Sequence, residues 1–264
     1  MDIAGEAERR VTMEKKENRK KPGILYRIIM LILLGIMIFC TYKIITIICE
    51  YREGTAVYDE LAEIANAVPS EDMHIDFDAL KKENEDIIAW LYSEDTVINY
   101  PVVQGDDNAF YLYRLVDKTW NVKGSLFADY RCENPFEDFN TVIYGHRMND
   151  GSMFKCLLEY RDTEGYYDDH SVMELATPEA VYDVEIFGAA TIPSDSEMYK
   201  FNFSSDEEKT AYIDWVRGHN EIPSGGGSDV EVSSSDKIIM LSTCTYEFEE
   251  ARLVVWGKLS EKSG

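Results

Sequence analysis

The chain has 264 residues, of which 45% are hydrophobic and 12% aromatic, enough to bury one substantial core. A formal net charge of −24 argues against nucleic acid as a partner, because a surface of that sign repels a phosphate backbone. Five cysteines are too few for a disulfide-built scaffold, so the domain is expected to stand on its core.

Residues 1–23 form a basic tail, and 1–27 carry eight Lys/Arg against five Asp/Glu. From Ile24 to Cys49 the chain is apolar over 26 residues, interrupted only by Arg27 and Lys43. That length suits a membrane-spanning helix, which needs about 20 apolar residues, and Lys43 can extend its amine to the interface. No small-x-small cleavage site follows, so residues 24–49 read as an uncleaved signal anchor. Residues 52–264 then carry a net −27. The excess of Lys/Arg before the span places the N-terminus in the cytoplasm and the acidic domain outside the cell membrane, as a single-pass protein.

Two helices are expected next, forming an N-terminal appendage over residues 50–95. In 52–68, Val57, Leu61, Ile64 and Val68 recur at helical spacing until Pro69 breaks the run. A second helix starts from an Asp76 N-cap, with Phe77, Leu80, Ile87, Ile88 and Leu91 on one side. From residue 96 to 264 the texture turns to short β-rich runs separated by turn residues. They are "TVINYPVVQ", "GSLFADY", "NTVIYGH", "VYDVEIFGAATI", "KIIMLSTC" and "RLVVWGKL". At least six strands with few helices between them imply a closed or nearly closed barrel, a mainly β fold. "GSMFKCLLEYRD" reads as a short helix. Residues 204–219, "SSDEEKTAYIDWVRGH", have a capping Ser, an acidic first turn and apolar Tyr212, Ile213 and Trp215, which makes them a helix inserted before the last strand pair. "PSGGGSD" after it reads as a flexible connector.

The chemistry concentrates at the end of the chain. In "KIIMLSTC", Ile238, Met240, Ser242 and Cys244 share one face, and in the next strand Arg252, Val254 and Trp256 share another. A seven-residue connection brings Cys244 and Arg252 to the same end of neighbouring strands. A cation beside a thiol favours the thiolate, and a guanidinium can donate to the oxyanion formed when a carbonyl is attacked. Spacing alone fits equally well a buried cysteine and an edge arginine paired with Glu247, Glu249 or Glu250. A thiol nucleophile also needs a histidine. His74 lies in a linker, His170 follows an acidic loop, and His219 closes a helix, where its charge suits the dipole. His146 alone leaves a β-run directly, through Gly145, and is the best candidate. The histidines and cysteines lack zinc spacing, and "ENPFEDFN", "YYDDH" and "YEFEE" read as solvated acidic surface, so neither metal nor cofactor is expected. Cys132, Cys156 and Cys244 make an odd count outside the membrane, which leaves at least one thiol unpaired unless it bridges to another chain, with the pairing of Cys132 and Cys156 open.

With these residues in view, positions 84–259 resemble the sortases, membrane-anchored cysteine transpeptidases of Gram-positive bacteria, and class B most closely. The family's Thr-Leu-x-Thr-Cys signature stands here as Met240-Leu241-Ser242-Thr243-Cys244, departing at its first position. "NTVIYGHRMNDGSMF" matches the histidine motif and "ARLVVWGKL" the arginine strand, while "INYPVVQGDDNAFYL" and "GSLFADYR" look like class B segments. The resemblance implies an eight-stranded sortase-type β-barrel with His146, Cys244 and Arg252 catalytic, and with Asn99, Ser242 and Thr243 lining the substrate groove. It also implies cleavage of a C-terminal sorting signal after Thr through a thioester, and transfer of the surface protein to the amine of a peptidoglycan precursor. Three rivals stand beside it. A pilin-polymerising sortase would commonly carry a second, C-terminal membrane helix, which is not expected after "KLSEKSG". A plain cysteine endopeptidase would resolve the acyl-enzyme with water. A non-catalytic anchored binding module has no use for an intact Cys, His and Arg.

Overall fold

The computed structural model describes residues 23–65 and 74–262. Residues 1–22 of the basic tail and residues 66–68 of the first expected outer helix lie outside these. Two compact units divide the chain, one ending at Ile48 and the other beginning at Cys49.

The apolar segment forms a helix long and apolar enough to cross a membrane. This helix, α1, runs without a break from Ile24 to Ile64. The sequence reading separated a span from a helix starting at residue 52, and the structure joins them. A change from apolar to charged side chains alters the solvent a helix prefers but breaks none of its hydrogen bonds, and no proline intervenes. In the second unit the end of α1 buries Tyr58 and Leu61. The ring of Tyr58 meets Tyr100 edge-on at 5.2 Å.

Helix α2, Phe77–Glu83, starts as expected: the Asp76 carboxylate accepts from the Ala79 amide at 2.9 Å. It stops before the predicted Ile87, Ile88 and Leu91. Asn84 turns extended at its C-terminus, and its buried side-chain amide donates to the Tyr111 hydroxyl and the Val116 carbonyl. Residues Ile87–Tyr92 instead form strand β1. "IIAWLY" is a short continuous apolar run, which fits a helix face or a strand buried on both sides equally well. Here two strand partners were available to bury it.

The remaining strands are β2 (Asn99–Val103), β3 (Leu126–Ala128), β4 (Asn140–Tyr144), β5 (Val172–Ala176), β6 (Val181–Pro193), β7 (Lys237–Cys244) and β8 (Ala251–Glu261). They close into a barrel in the order β1-β2-β3-β4-β7-β8-β6-β5, with eight strands as the family resemblance implies. β1 and β5 escaped the sequence reading, and their antiparallel pairing closes the ring. Parallel pairing sets β4 beside β7, with Tyr144 opposite Ser242. β7 and β8 pair antiparallel, with Cys244 opposite Arg252.

The alternation along β7 and β8 separates two apolar clusters. Ile239, Leu241, Leu253 and Val255 fill the barrel. Ile238, Met240, Val254 and Trp256 face outward, under helix α5 (Asp206–Gly218), whose Tyr212, Ile213 and Val216 cover them. α5 is the inserted helix, capped by Ser205 with three acidic residues in its first turn. Between β4 and β5, a 3₁₀ turn at Phe154–Leu158 runs into α3 (Glu159–Asp162), and α4 (Tyr166–Asp169) follows. "PSGGGSD" is a packed turn and not a free connector. A side chain on Gly227, at φ +81°, would come within 2.8 Å of the Phe187 backbone, so bare backbone is needed there.

Candidate active site

Three strand ends converge on one cleft of about 210 Å³, lined among others by His146, Ser242, Thr243, Cys244 and Arg252. Cys244 ends β7, on the outward face that the strand period assigned it, and its thiol is free and half-buried. Ser242 shares that face and bonds the Tyr199 hydroxyl at 2.8 Å. Thr243 points the other way, and its buried Oγ1 has no hydrogen-bond partner. Asn99 does not join them. It starts β2, and its side-chain oxygen accepts from the Trp90 indole at 2.7 Å.

His146 leaves β4 through Gly145, where a Cβ would strike the side chains of Leu126 and Phe154 at 2.5 Å. Its Nε2 lies 2.6 Å from the Leu112 carbonyl oxygen. A carbonyl only accepts, so Nε2 donates and Nδ1 is the nitrogen left free to take a proton in the neutral ring. Burial pulls the imidazole pKa below the ordinary histidine value, against an opposing effect of the Leu112 bond. Tyr113 packs against the ring at 5.6 Å.

Arg252 uses two of its donors on near neighbours: Nη1 donates to the Ala251 carbonyl and Nη2 to the Glu250 carboxylate, both at 3.0 Å. The pairing with Glu250 is one the spacing allowed, and it coexists with a place in the cleft wall. Glu250 is 67% exposed, so water screens the pair and the remaining guanidinium donors stay available. The loop carrying Glu250 is pinned by Glu247, which ion-pairs with Arg161 at 2.6 Å. Across the mouth, the Arg147 guanidinium lies over the Tyr246 ring at 4.6 Å, linking the loop after His146 to the loop after Cys244.

The rest of the wall escaped the sequence reading: Asn108, Leu112, Phe127, Tyr144, Ser194 and Tyr199. The first four lie inside or beside segments already singled out by resemblance, so their neighbourhood was legible and their role was not. Ser194 and Tyr199 come from the excursion between β6 and β7, which carries no motif. Tyr199 is set by α5, because the Tyr212 hydroxyl holds the Met198 carbonyl at 2.9 Å and accepts from the Trp256 indole at 3.0 Å. Behind Tyr144, a fully buried Asp129 accepts from the Tyr144 hydroxyl, the Asn108 amide and Arg131. Burial works against this carboxylate's charge, yet these donors hold its pKa below the ordinary value.

Gly124 stands behind the Leu112 carbonyl at φ +56°, and a Cβ there would meet the Leu112 oxygen and lie 2.8 Å from the Tyr111 oxygen. Gly124→Ala is expected to lower the unfolding free energy by about 2–4 kcal/mol, strain and backbone collision acting together. Gly151 has φ +88° with nothing within 4 Å of its virtual Cβ, so Gly151→Ala meets strain alone and is expected to cost about 1 kcal/mol. Paired denaturant titrations measure the difference.

The model of the sortase domain family matches residues 91–260. The chain is 32% identical to sortase B of Listeria monocytogenes over 250 residues, covering 92% of this chain and all of that protein. It is 30% identical to sortase B of Staphylococcus aureus over 241 residues, 89% of this chain and 97% of the relative. Among solved structures, a Staphylococcus aureus sortase B–substrate complex superposes with a TM-score of 0.73 at 30% identity, over 81% of this chain and all of the other. Sortase B from Bacillus anthracis in complex with AAEK1 gives 0.71 at 33% identity, over 81% and 100%.

Proposed function

The chain belongs to the sortase family as a class B sortase, a cysteine transpeptidase, and on that premise we propose that Cys244, His146 and Arg252 carry the reaction. The observation that supports this most directly is that three separate strand ends deliver these side chains to one cleft. The Cys244 sulfur adds to the carbonyl carbon of the Thr in a C-terminal sorting signal, while Nδ1 of His146 takes the thiol proton. Arg252 donates to the carbonyl oxygen as it becomes an oxyanion. The Thr–Gly or Thr–Asn amide bond breaks, the imidazolium gives its proton to the leaving amine, and a thioester remains. An amine from a peptidoglycan precursor then attacks the thioester and loses a proton to His146, which returns it to the departing sulfur. Ser242, tied to Tyr199, and Thr243 shape the groove beside the nucleophile.

α1 anchors the barrel to the cell membrane, with the N-terminus cytoplasmic and the barrel outside. That topology rests on the basic residues preceding the span. Both substrates, a surface protein and a peptidoglycan precursor, would emerge on that side.

The test incubates the full-length chain in detergent micelles with Asn-Pro-x-Thr-Gly/Asn and Ser/Pro-Pro-x-Thr-Gly peptides plus an amine acceptor, and reads products by mass spectrometry. Amine-ligated product cut after Thr is expected. Hydrolysed product alone, or no cleavage of any peptide, contradicts the reading.

A pH dependence follows from His146. Its folded pKa is lowered, so on acidification the unfolded chain takes up a proton first, near pH 6.5, and the folded form resists. The histidine's contribution to stability is therefore complete above that pH and lost as pH falls toward the folded pKa. His146→Gln is expected to flatten the fall in denaturation midpoint below about pH 6.5. A variant that keeps the full wild-type slope would refute this.

A further inference from the structure

We propose that Lys123 and the end of α1 form a brace that positions His146 from two sides, so that the helix continuous with the apolar segment is part of the catalytic apparatus. Lys123 does not touch the reacting atoms; it is a positioning residue, and the inference rests on the proton-transfer role assigned to His146.

The first side is the loop after β4. The Lys123 side chain is 2% exposed, and its ammonium lies 2.8 Å from the Asp150 carboxylate. It also donates to Thr55 Oγ1 of α1 and to Ser152 Oγ, each at 2.9 Å. Three N–H donors meet three acceptors, which is all an ammonium can offer. The Tyr51 ring covers it at 5.7 Å. Asp150 in turn accepts from the Ser152 amide and hydroxyl, at 3.1 and 2.6 Å. The loop closes on the histidine itself, because the Phe154 amide donates to the His146 carbonyl at 3.0 Å. Near its end the Met153 amide donates to the Tyr100 hydroxyl, and Tyr100 packs on Tyr58 of α1.

The second side is the acceptor of Nε2. The Tyr58 hydroxyl donates to the Gly124 carbonyl, and Gly124 stands directly behind the Leu112 carbonyl that holds the imidazole. The Asn121 amide donates to the Glu50 carbonyl of α1 at 2.8 Å, fixing the same segment. α1 approaches this closely because Gly54 lacks a side chain: a Cβ there would lie 2.9 Å from Lys123 Cδ.

A buried ammonium costs free energy that an apolar side chain of the same volume would avoid. What the charge adds is direction, since two of its bonds hold the histidine's loop at Asp150 and Ser152 and the third holds α1 at Thr55. A misplacement of the imidazole of about 1 Å lowers turnover by up to roughly a hundredfold.

The test uses the full-length chain in micelles, a sorting-signal peptide and an amine acceptor, with Lys123→Met, Thr55→Val and His146→Ala. Lys123→Met is expected to lower kcat by about ten- to a hundredfold with KM nearly unchanged. The acidic limb of its kcat/KM profile is expected to move to higher pH, because a loosened imidazole loses the burial that lowers its pKa. Thr55→Val, which removes one of the three bonds and preserves shape, is expected to show the same two changes at smaller size. If Lys123→Met shows no cooperative unfolding transition, Thr55→Val decides by the same readouts. Folded brace variants with wild-type kcat and an unmoved limb overturn the brace, provided His146→Ala is inactive. Turnover persisting in His146→Ala instead refutes the histidine's role, and the brace falls with it.

Discussion

Cys244→Ala is expected to abolish ligation, by about 10⁴-fold or more, as removal of a covalent nucleophile does elsewhere. Among the described residues the barrel and its connections offer two other thiols, Cys132 and Cys156, and neither lines the cleft. Burial pushes Cys132 up to about 11, and Cys156 likewise to about 11, so both stay protonated and inert at neutral pH. Ala at either position should leave turnover near wild type. Cys244 is half-buried at a strand end, so its replacement leaves the β7–β8 register and both apolar clusters intact. Mass spectrometry of the ligated product, beside thermal melts of the three variants, checks the expectation. Residual ligation in a folded Cys244→Ala chain would remove the thioester from the mechanism.

Arg252→Ala is expected to lower kcat by about 10²–10³-fold, the loss typical of one oxyanion donor. Arg252→Lys should recover little of it. The guanidinium already spends donors on Ala251 and Glu250 and still has others for the substrate, whereas an ammonium is a point charge with three donors on a flexible stem. Glu250→Gln separates this role from surface pairing. The exposed ion pair contributes about 0–1 kcal/mol, so its loss should change turnover less than about fivefold. Steady-state kcat and KM for the three variants give the comparison. A Lys variant as active as wild type would reduce Arg252 to a generic positive charge.

β7 and β8 were legible with their faces, because a period of two over eight residues sorts side chains unambiguously. The inserted helix was legible from its Ser cap, acidic first turn and apolar stripe. β1 was not, since Ile87, Ile88 and Leu91 also fit a helical spacing, and only burial between β2 and β5 decides for a strand. Asn99 was carried into the groove by resemblance, while the chain folds with its amide on Trp90. Tyr199 fell in a segment with no pattern, and reaches the cleft because α5 packs on Trp256 and holds the residue before it.

By itself the sequence determined the apolar segment and the charge contrast across it, the thiol and guanidinium at facing strand ends, and the one histidine leaving a strand. These are properties of neighbours along the chain, where spacing and side-chain chemistry suffice. Only the tertiary structure decided what surrounds them. The carbonyl holding the His146 ring is 34 positions away, at Leu112, and the bond from Lys123 to Thr55 spans 68. Such partners meet because the barrel closes and the end of α1 in the second unit packs against it. Closure depends on the burial of many side chains at once, which no local period records.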